Sequence, residues 1–145
     1  MDTMKKEPTC KDLVKPHFRS RLNDLKAMWE TYQEDPEAYT DDEDRLDEYG
    51  LSFDYVPEGT YDDLPDPYFR YQLSWGGPSD EFRIFARRIN GHWALTEVQY
   101  WFLDWFDGAY VTVLGADWEW FVDFFLSYFG ESLDHVYEQA MGDQP

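Results

Sequence analysis

Three histidines, one cysteine and 31 carboxylates are the side chains of this 145-residue chain that could do chemistry, and their spacing argues against most of it. His17, His92 and His135 are far apart, and none belongs to an HExxH or comparable ligand pair. Glu131 and His135 stand at i and i+4, where a metal could bridge them on a helix, but such pairs usually just face solvent. Cys10 stands alone, so no intramolecular disulfide can form and no cysteine-based metal site exists. No GxSxG nucleophile elbow or P-loop occurs, and Gly76-Gly77 lacks the GxGxxG spacing of a dinucleotide fold, so those glycines read as a turn. The run Asp41 to Glu48 departs from a calcium loop because Leu46 replaces the third alternating ligand and no glycine takes the sharp-turn position. The sequence predicts a protein that is not an enzyme and holds no cofactor or metal. An enzyme would need a pocket enclosing two close carboxylates, one with a raised pKa.

The carboxylates are segregated along the chain. Between Glu30 and Asp66 lie 15 of them against the single base Arg45, and 10 more follow Arg88, beyond which no Lys or Arg occurs. Met1 to Met28 is instead basic, with Lys5, Lys6, Lys11, Lys15, Arg19, Arg21 and Lys26, and the whole chain carries a formal charge of −19. A compact chain of this size is about 38 Å across, a length over which duplex DNA shows roughly 22 phosphates. The two acidic segments hold enough carboxylates to offer a basic DNA-binding cleft a rival anion. The same charge also keeps an aromatic-rich domain soluble, and charge alone leaves both readings open. Direct binding of nucleic acid has the wrong sign, so a basic protein partner is expected.

These carboxylates need a scaffold. The chain is long enough to bury one core without staples, and its 20% aromatic content with seven Trp supplies much of it, so residues 1–145 read as a single domain. Residues 1–16 read as a flexible basic arm. After Pro16, Leu22, Leu25, Met28, Trp29 and Tyr32 recur at helical spacing, predicting an amphipathic helix over His17 to Gln33. Residues 34–48 form an acidic loop or short helix, since Asp41-Asp42-Glu43-Asp44 is a poor helix interior. Alternating apolar residues then predict strands at Leu51 to Pro57, Phe69 to Trp75, Glu81 to Arg88, Trp93 to Asp104 and Tyr110 to Leu114, with Asn90-Gly91 as a hairpin turn. In Val98 to Phe106 both faces are apolar. That predicts an interior strand covered on both sides, by the chain's own core or by helices on one face and a partner or second copy on the other, so a homodimer stays open. Asp117 to Phe129 reads as a helix ended by Gly130 at C′, and Ser132 as the N-cap of a last helix over Leu133 to Met141. The fold class is α+β, an antiparallel meander of about four to five strands flanked by an N-terminal helix and C-terminal helices.

Some carboxylates have structural work to do. Asp117 and Glu119 suit the N-terminus of their helix, and Asp104 or Asp107 could cap a backbone N–H near a turn. The contact residues are therefore expected among Glu34, Asp35, Glu37, Asp41, Asp42, Glu43, Asp44, Asp47, Glu48, Asp62, Asp63 and Asp66, with Tyr39, Tyr49 and Tyr61 as aromatic anchors, and Tyr68 as a further candidate. The start lacks an apolar signal region and the greasiest run, Trp118 to Phe129, is too short and too charged to span a bilayer, so a cytoplasmic protein without a membrane role is expected.

The segments Tyr68-Phe-Arg-Tyr-Gln-Leu-Ser-Trp-Gly-Gly-Pro-Ser-Asp-Glu-Phe82 and Tyr100-Trp-Phe-Leu-Asp-Trp-Phe-Asp-Gly108 look like parts of small proteins carried on mobile elements. Together with its size and acidity, the chain resembles the DNA-mimic inhibitors of phages and conjugative plasmids, the anti-restriction and anti-CRISPR proteins. That resemblance implies a stoichiometric inhibitor that blocks a DNA- or RNA-binding protein of a host defence system. An immunity or antitoxin protein that neutralises a basic toxin is the alternative.

Overall fold

Thr9 starts the first helix. Its hydroxyl accepts from the Asp12 N–H at 3.3 Å, while the Asp12 carboxylate accepts from the Thr9 N–H at 3.0 Å, a reciprocal capping box. In the computed structural model, which describes residues 8–61 and 66–142, helix α1 runs over Cys10–Glu34. It starts at Cys10 rather than His17, and Pro16 lies inside it, so residues 10–16 of the expected flexible arm are helical. Proline removes one backbone bond from a helix interior at a cost of about 3 kcal/mol. The capping box and an unbroken stripe of buried Cys10, Val14, Phe18, Leu22, Leu25 and Met28 offset that loss. Helix α2 is one turn, Leu46–Tyr49, and residues 35–45 before it make turns.

Five strands follow: β1 (Ser52–Val56), β2 (Tyr68–Ser74), β3 (Ser79–Ile89), β4 (His92–Asp104) and β5 (Asp107–Thr112). They form one antiparallel sheet in sequence order, so the chain is an α+β meander. Tyr71 faces Phe82, Phe82 faces Tyr100 and Tyr100 faces Val111, which aligns the core positions of β2 to β5 in one row. The β3–β4 turn uses Asn90 and Gly91 at φ of 53° and 81°, the left-handed pair that a tight hairpin requires.

Helix α3 (Gly115–Phe129) passes through a 3-10 turn at Gly130–Ser132 into α4 (Leu133–Gly142). Gly130 stays right-handed, with φ −50° and ψ −43°, so it does not end α3 in a left-handed cap. Ser132 sits in the 3-10 turn and does not act as an N-cap; the chain keeps turning in the same hand from α3 into α4.

The helices lie on one face of the sheet. Phe69, Phe82, Ile84, Val98 and Tyr100 from the strands and Leu22, Leu25, Phe121, Phe124 and Phe125 from the helices are completely buried together. The expected double cover of β4 is half met, because no helix covers its second face among the described residues. There Trp101 and Leu103 are half-buried. Polar groups carry that face instead: the Arg83 guanidinium stands 4.1 Å from the Trp101 ring centroid and pairs with Glu81 at 2.8 Å, and Trp101 stacks on Tyr110. No described helix is long and apolar enough to cross a membrane.

Candidate protein-binding surface

The acidic run between α1 and β1 is organised by its own backbone. Asp35 closes α1, its N–H bonded to the Thr31 carbonyl and its carboxylate accepting from the Glu37 N–H at 3.0 Å. Thr40 then clamps a turn: its N–H donates to the Asp44 carbonyl at 2.8 Å and its hydroxyl accepts from the Asp44 N–H at 3.2 Å. Such turns place the side chains of Glu34, Asp35, Glu37, Asp41, Asp42 and Glu43 in solvent. Arg45 is the one base of the run. It pairs with Asp47 at 2.7 Å and with Glu48 at 3.7 Å, and the Tyr39 hydroxyl donates to the Glu48 carboxylate. Asp44 is half-buried, and that burial, followed by the charges of Asp24 and Asp42, raises its pKa against the pull of Arg21.

This patch is anchored to the sheet by a buried network. Asp80 is 2% exposed and accepts from Arg21 Nε at 2.7 Å, from Arg21 Nη2 at 2.9 Å, and from the hydroxyls of Ser74 and Tyr100. Burial alone would raise the Asp80 pKa, but those four donors together hold it below the ordinary value. Arg21 Nη1 also donates to the Tyr49 hydroxyl at 2.9 Å, and Tyr49 donates to Asp24 at 2.7 Å. Tyr49 is therefore a structural link, with a pKa raised chiefly by burial, rather than a free anchor.

Of the expected contact residues, Glu34, Asp35, Glu37, Tyr39, Asp41, Asp42, Glu43, Asp44, Asp47, Glu48 and Tyr49 fall in this one segment, beside Asp24. Asp62 and Asp63 lie outside the described residues. Asp66 and Tyr61 do not join the patch, because Leu51 enters the sheet beside Gln72 whereas Val56 pairs with Tyr68 at the other end of β1. Five residues of strand separate the two ends by about 16 Å. Asp66 instead lines a cleft of about 580 Å³ on the uncovered face, with Phe85, Glu97, Gln99, Trp101 and Tyr110. Tyr68 is 1% exposed and cannot touch a partner.

Three of the carboxylates beyond Arg88 are engaged within the fold, whereas Glu119, Asp123, Glu131 and Glu138 are exposed. Asp107 accepts from the Cys10 N–H at 2.9 Å, which satisfies a donor of the first turn of α1 and lowers the Asp107 pKa. Asp117 pairs with Arg19 at 2.8 Å and Lys26 at 3.6 Å, and its pKa falls for that reason. Asp134 holds Arg88 at 3.3 Å and accepts from Trp93 Nε1 at 2.9 Å. Glu131 and His135 are exposed, and no group of three possible ligands that could hold a metal occurs among the described residues.

Sequence reasoning missed the exposed aromatics. Trp75 is 78% exposed, Trp105 85% and Phe106 104%, all in turns at one end of the sheet. Alternation assigned Trp75 and Trp105 to strand faces, but each directly follows the last residue of its strand, Ser74 or Asp104. The signal available was a large apolar residue beside turn formers, Gly76-Gly77-Pro78 and Asp107-Gly108. No protein-family model, no curated protein and no solved structure matches this chain.

Proposed function

We propose that this chain is a non-enzymatic, stoichiometric inhibitor that acts in the cytoplasm. Its acidic surface between α1 and β1 occupies the positively charged nucleic-acid-binding site of a host-defence protein, in the manner of anti-CRISPR and anti-restriction proteins. The observation that supports the reading is the density of unshielded carboxylates on one short ordered segment. Asp80, Asp107, Asp117 and Asp134 are engaged by local donors, whereas Glu34, Glu37, Asp41, Asp42 and Glu43 stand in solvent on ordered turns with Arg45 already held by Asp47 and Glu48. Unshielded charge of one sign on a fixed backbone steers association with a basic groove.

One observation favours the second reading, an immunity or antitoxin protein. The carboxylates form a local patch, with Asp66 at the far end of β1, rather than a band of duplex length. A single patch suits one basic toxin as well as a DNA channel.

Capture of the partner from the native host on the immobilised protein, elution by salt, and competition of the purified partner with duplex DNA test both. A DNA-mimic reading expects mutually exclusive binding of the protein and DNA, and association slowed at least about tenfold at low salt by Glu37→Gln, Asp41→Asn, Asp42→Asn and Glu43→Gln together. A partner that binds the protein and DNA at once overturns it, and a partner without affinity for nucleic acid supports the antitoxin alternative.

A further inference from the structure

Two turns at one end of the sheet meet and carry three large aromatic side chains into solvent. The β2–β3 turn holds Trp75, and the β4–β5 turn holds Trp105 and Phe106. The Trp105 indole lies over Gly77, within 3.1 to 3.6 Å of where a Cβ at that position would stand, so the two turns touch through this side chain. Trp105 itself adopts φ of +50°, a conformation that side chains other than glycine rarely take. With exposures of 78%, 85% and 104%, the three side chains present roughly 500 Å² of aromatic surface at one end of the sheet.

A chain of hydrogen bonds through the interior links the aromatic turns to the acidic segment. Ser74, next to Trp75, bonds Asp80; Asp80 holds Arg21; Arg21 reaches Tyr49, and Tyr49 reaches Asp24 beside Asp44. Leu51, 59% exposed at the end of that segment, enters the sheet next to Gln72 of β2. The turns and their flanks contain Asp80, Asp104 and Asp107 and no Lys or Arg.

We propose that Trp75, Trp105 and Phe106 form the apolar anchor of the interface with a basic protein, which offers them an apolar pocket bordered by Lys or Arg. Charge selects this occupant: a formal −19 repels a second copy of the chain and an anionic lipid surface alike, while it attracts cations. The inference rests on the proposed function and divides it into two parts, steering by the acidic segment and holding by the aromatic turns.

The probes are two lysine-rich peptides of equal charge, one with a leucine face and one with serine in place of leucine. Binding is measured by fluorescence anisotropy to the wild type, to the Trp75→Gln, Trp105→Asn, Phe106→Gln triple variant, and to the variant neutralised at Glu37, Asp41, Asp42 and Glu43. Unchanged thermal unfolding certifies the fold of each variant. The wild type is expected to prefer the leucine-faced peptide by about tenfold or more, and the triple variant to lose that preference while keeping the salt dependence. The neutralised variant should weaken both peptides alike. A leucine preference that is absent, or that survives in the triple variant, overturns the aromatic anchor. An unaltered neutralised variant sinks the acidic-surface reading and leaves the anchor standing. Trp-dependent binding to zwitterionic phosphatidylcholine vesicles, or a dimer in sedimentation abolished by the triple variant, also overturns the choice of a basic protein.

Discussion

Replacing Asp80 by Asn removes a single negative charge from a protein with far too many, yet it should destabilise the fold. Asp80 accepts two hydrogen bonds from Arg21 and one each from Ser74 and Tyr100 in a site where it is 2% exposed. Asparagine keeps the shape but turns one oxygen into a donor that faces donors. Arg21, whose side chain is 24% exposed, is left charged without a carboxylate. Breaking one side of a buried pair costs about 3–5 kcal/mol, and the partial exposure of Arg21 places the value near the lower limit, about 3 kcal/mol. For a domain of this size that lowers Tm by roughly 10 °C. Relief of general repulsion would change stability in the opposite direction, so the sign decides which effect dominates. Urea unfolding of wild type, Asp80→Asn, Arg21→Met and the double variant gives the coupling, which should exceed about 1 kcal/mol. A loss below about 1 kcal/mol for Asp80→Asn would refute the assignment of this network as the bolt between α1, the sheet and the acidic segment.

Further outcomes follow from the same structure. Phe125→Ala empties the centre of the core and should cost about 3–5 kcal/mol in urea unfolding, against less than about 1 kcal/mol for the exposed Leu126→Ala. Trp105→Gly should leave Tm unchanged or raise it, because relief of φ +50° is worth about 1 kcal/mol and the side chain is 85% exposed; a loss above about 1 kcal/mol would show that the indole packs. Asp80, Asp107 and Asp117 have lowered pKa values in the native state, so their stabilisation is full above the unfolded carboxylate pKa near ~4 and is lost as pH falls through the lower native values. Asp44 has a raised pKa, so its penalty is relieved as pH falls through that native value. Tm should therefore hold or rise slightly from neutral pH downward before it drops below about pH 4; a steady fall that begins above about pH 5 contradicts these signs.

The sheet was legible because alternation and turn residues agree. Phe69, Tyr71 and Leu73 share a face, and Asn90-Gly91 marks a turn by chemistry alone. The start of α1 was not legible, since Pro16 is a local breaker and the forces that override it, the Thr9–Asp12 box and the burial of Cys10 and Val14, include tertiary contacts no window reveals. Asp107 caps a backbone N–H as its position near a turn suggests, but the N–H is that of Cys10, distant in sequence, and that partner is not legible in the sequence. Alternation also ran one residue too far at Trp75 and Trp105, because strand ends are set by where the backbone ladder stops rather than by side-chain polarity.

Many of the bases are engaged inside the fold, which leaves the acidic segment short of counter-charge. Arg19 and Lys26 pair α1 with α3, Arg21 pairs α1 with β3, Arg88 pairs β3 with α4, Arg70 pairs β2 with β1, and Arg83 pairs with Glu81 in its own strand. Lys11 and Lys15 lie in the first half of α1, away from its C-terminal end at Glu34. Arg45 is the single base within Glu34 to Glu48. Neighbouring like charges a few ångströms apart in water repel by about 1 kcal/mol before salt screening, so the segment holds a repulsion the fold does not relieve. Cations brought by a partner remove that repulsion only in the bound state. Affinity for the partner should therefore fall as salt is added, while the stability of the free protein rises; the stability trend follows from any net charge of −19, and the loss of affinity is the part that tests the segment.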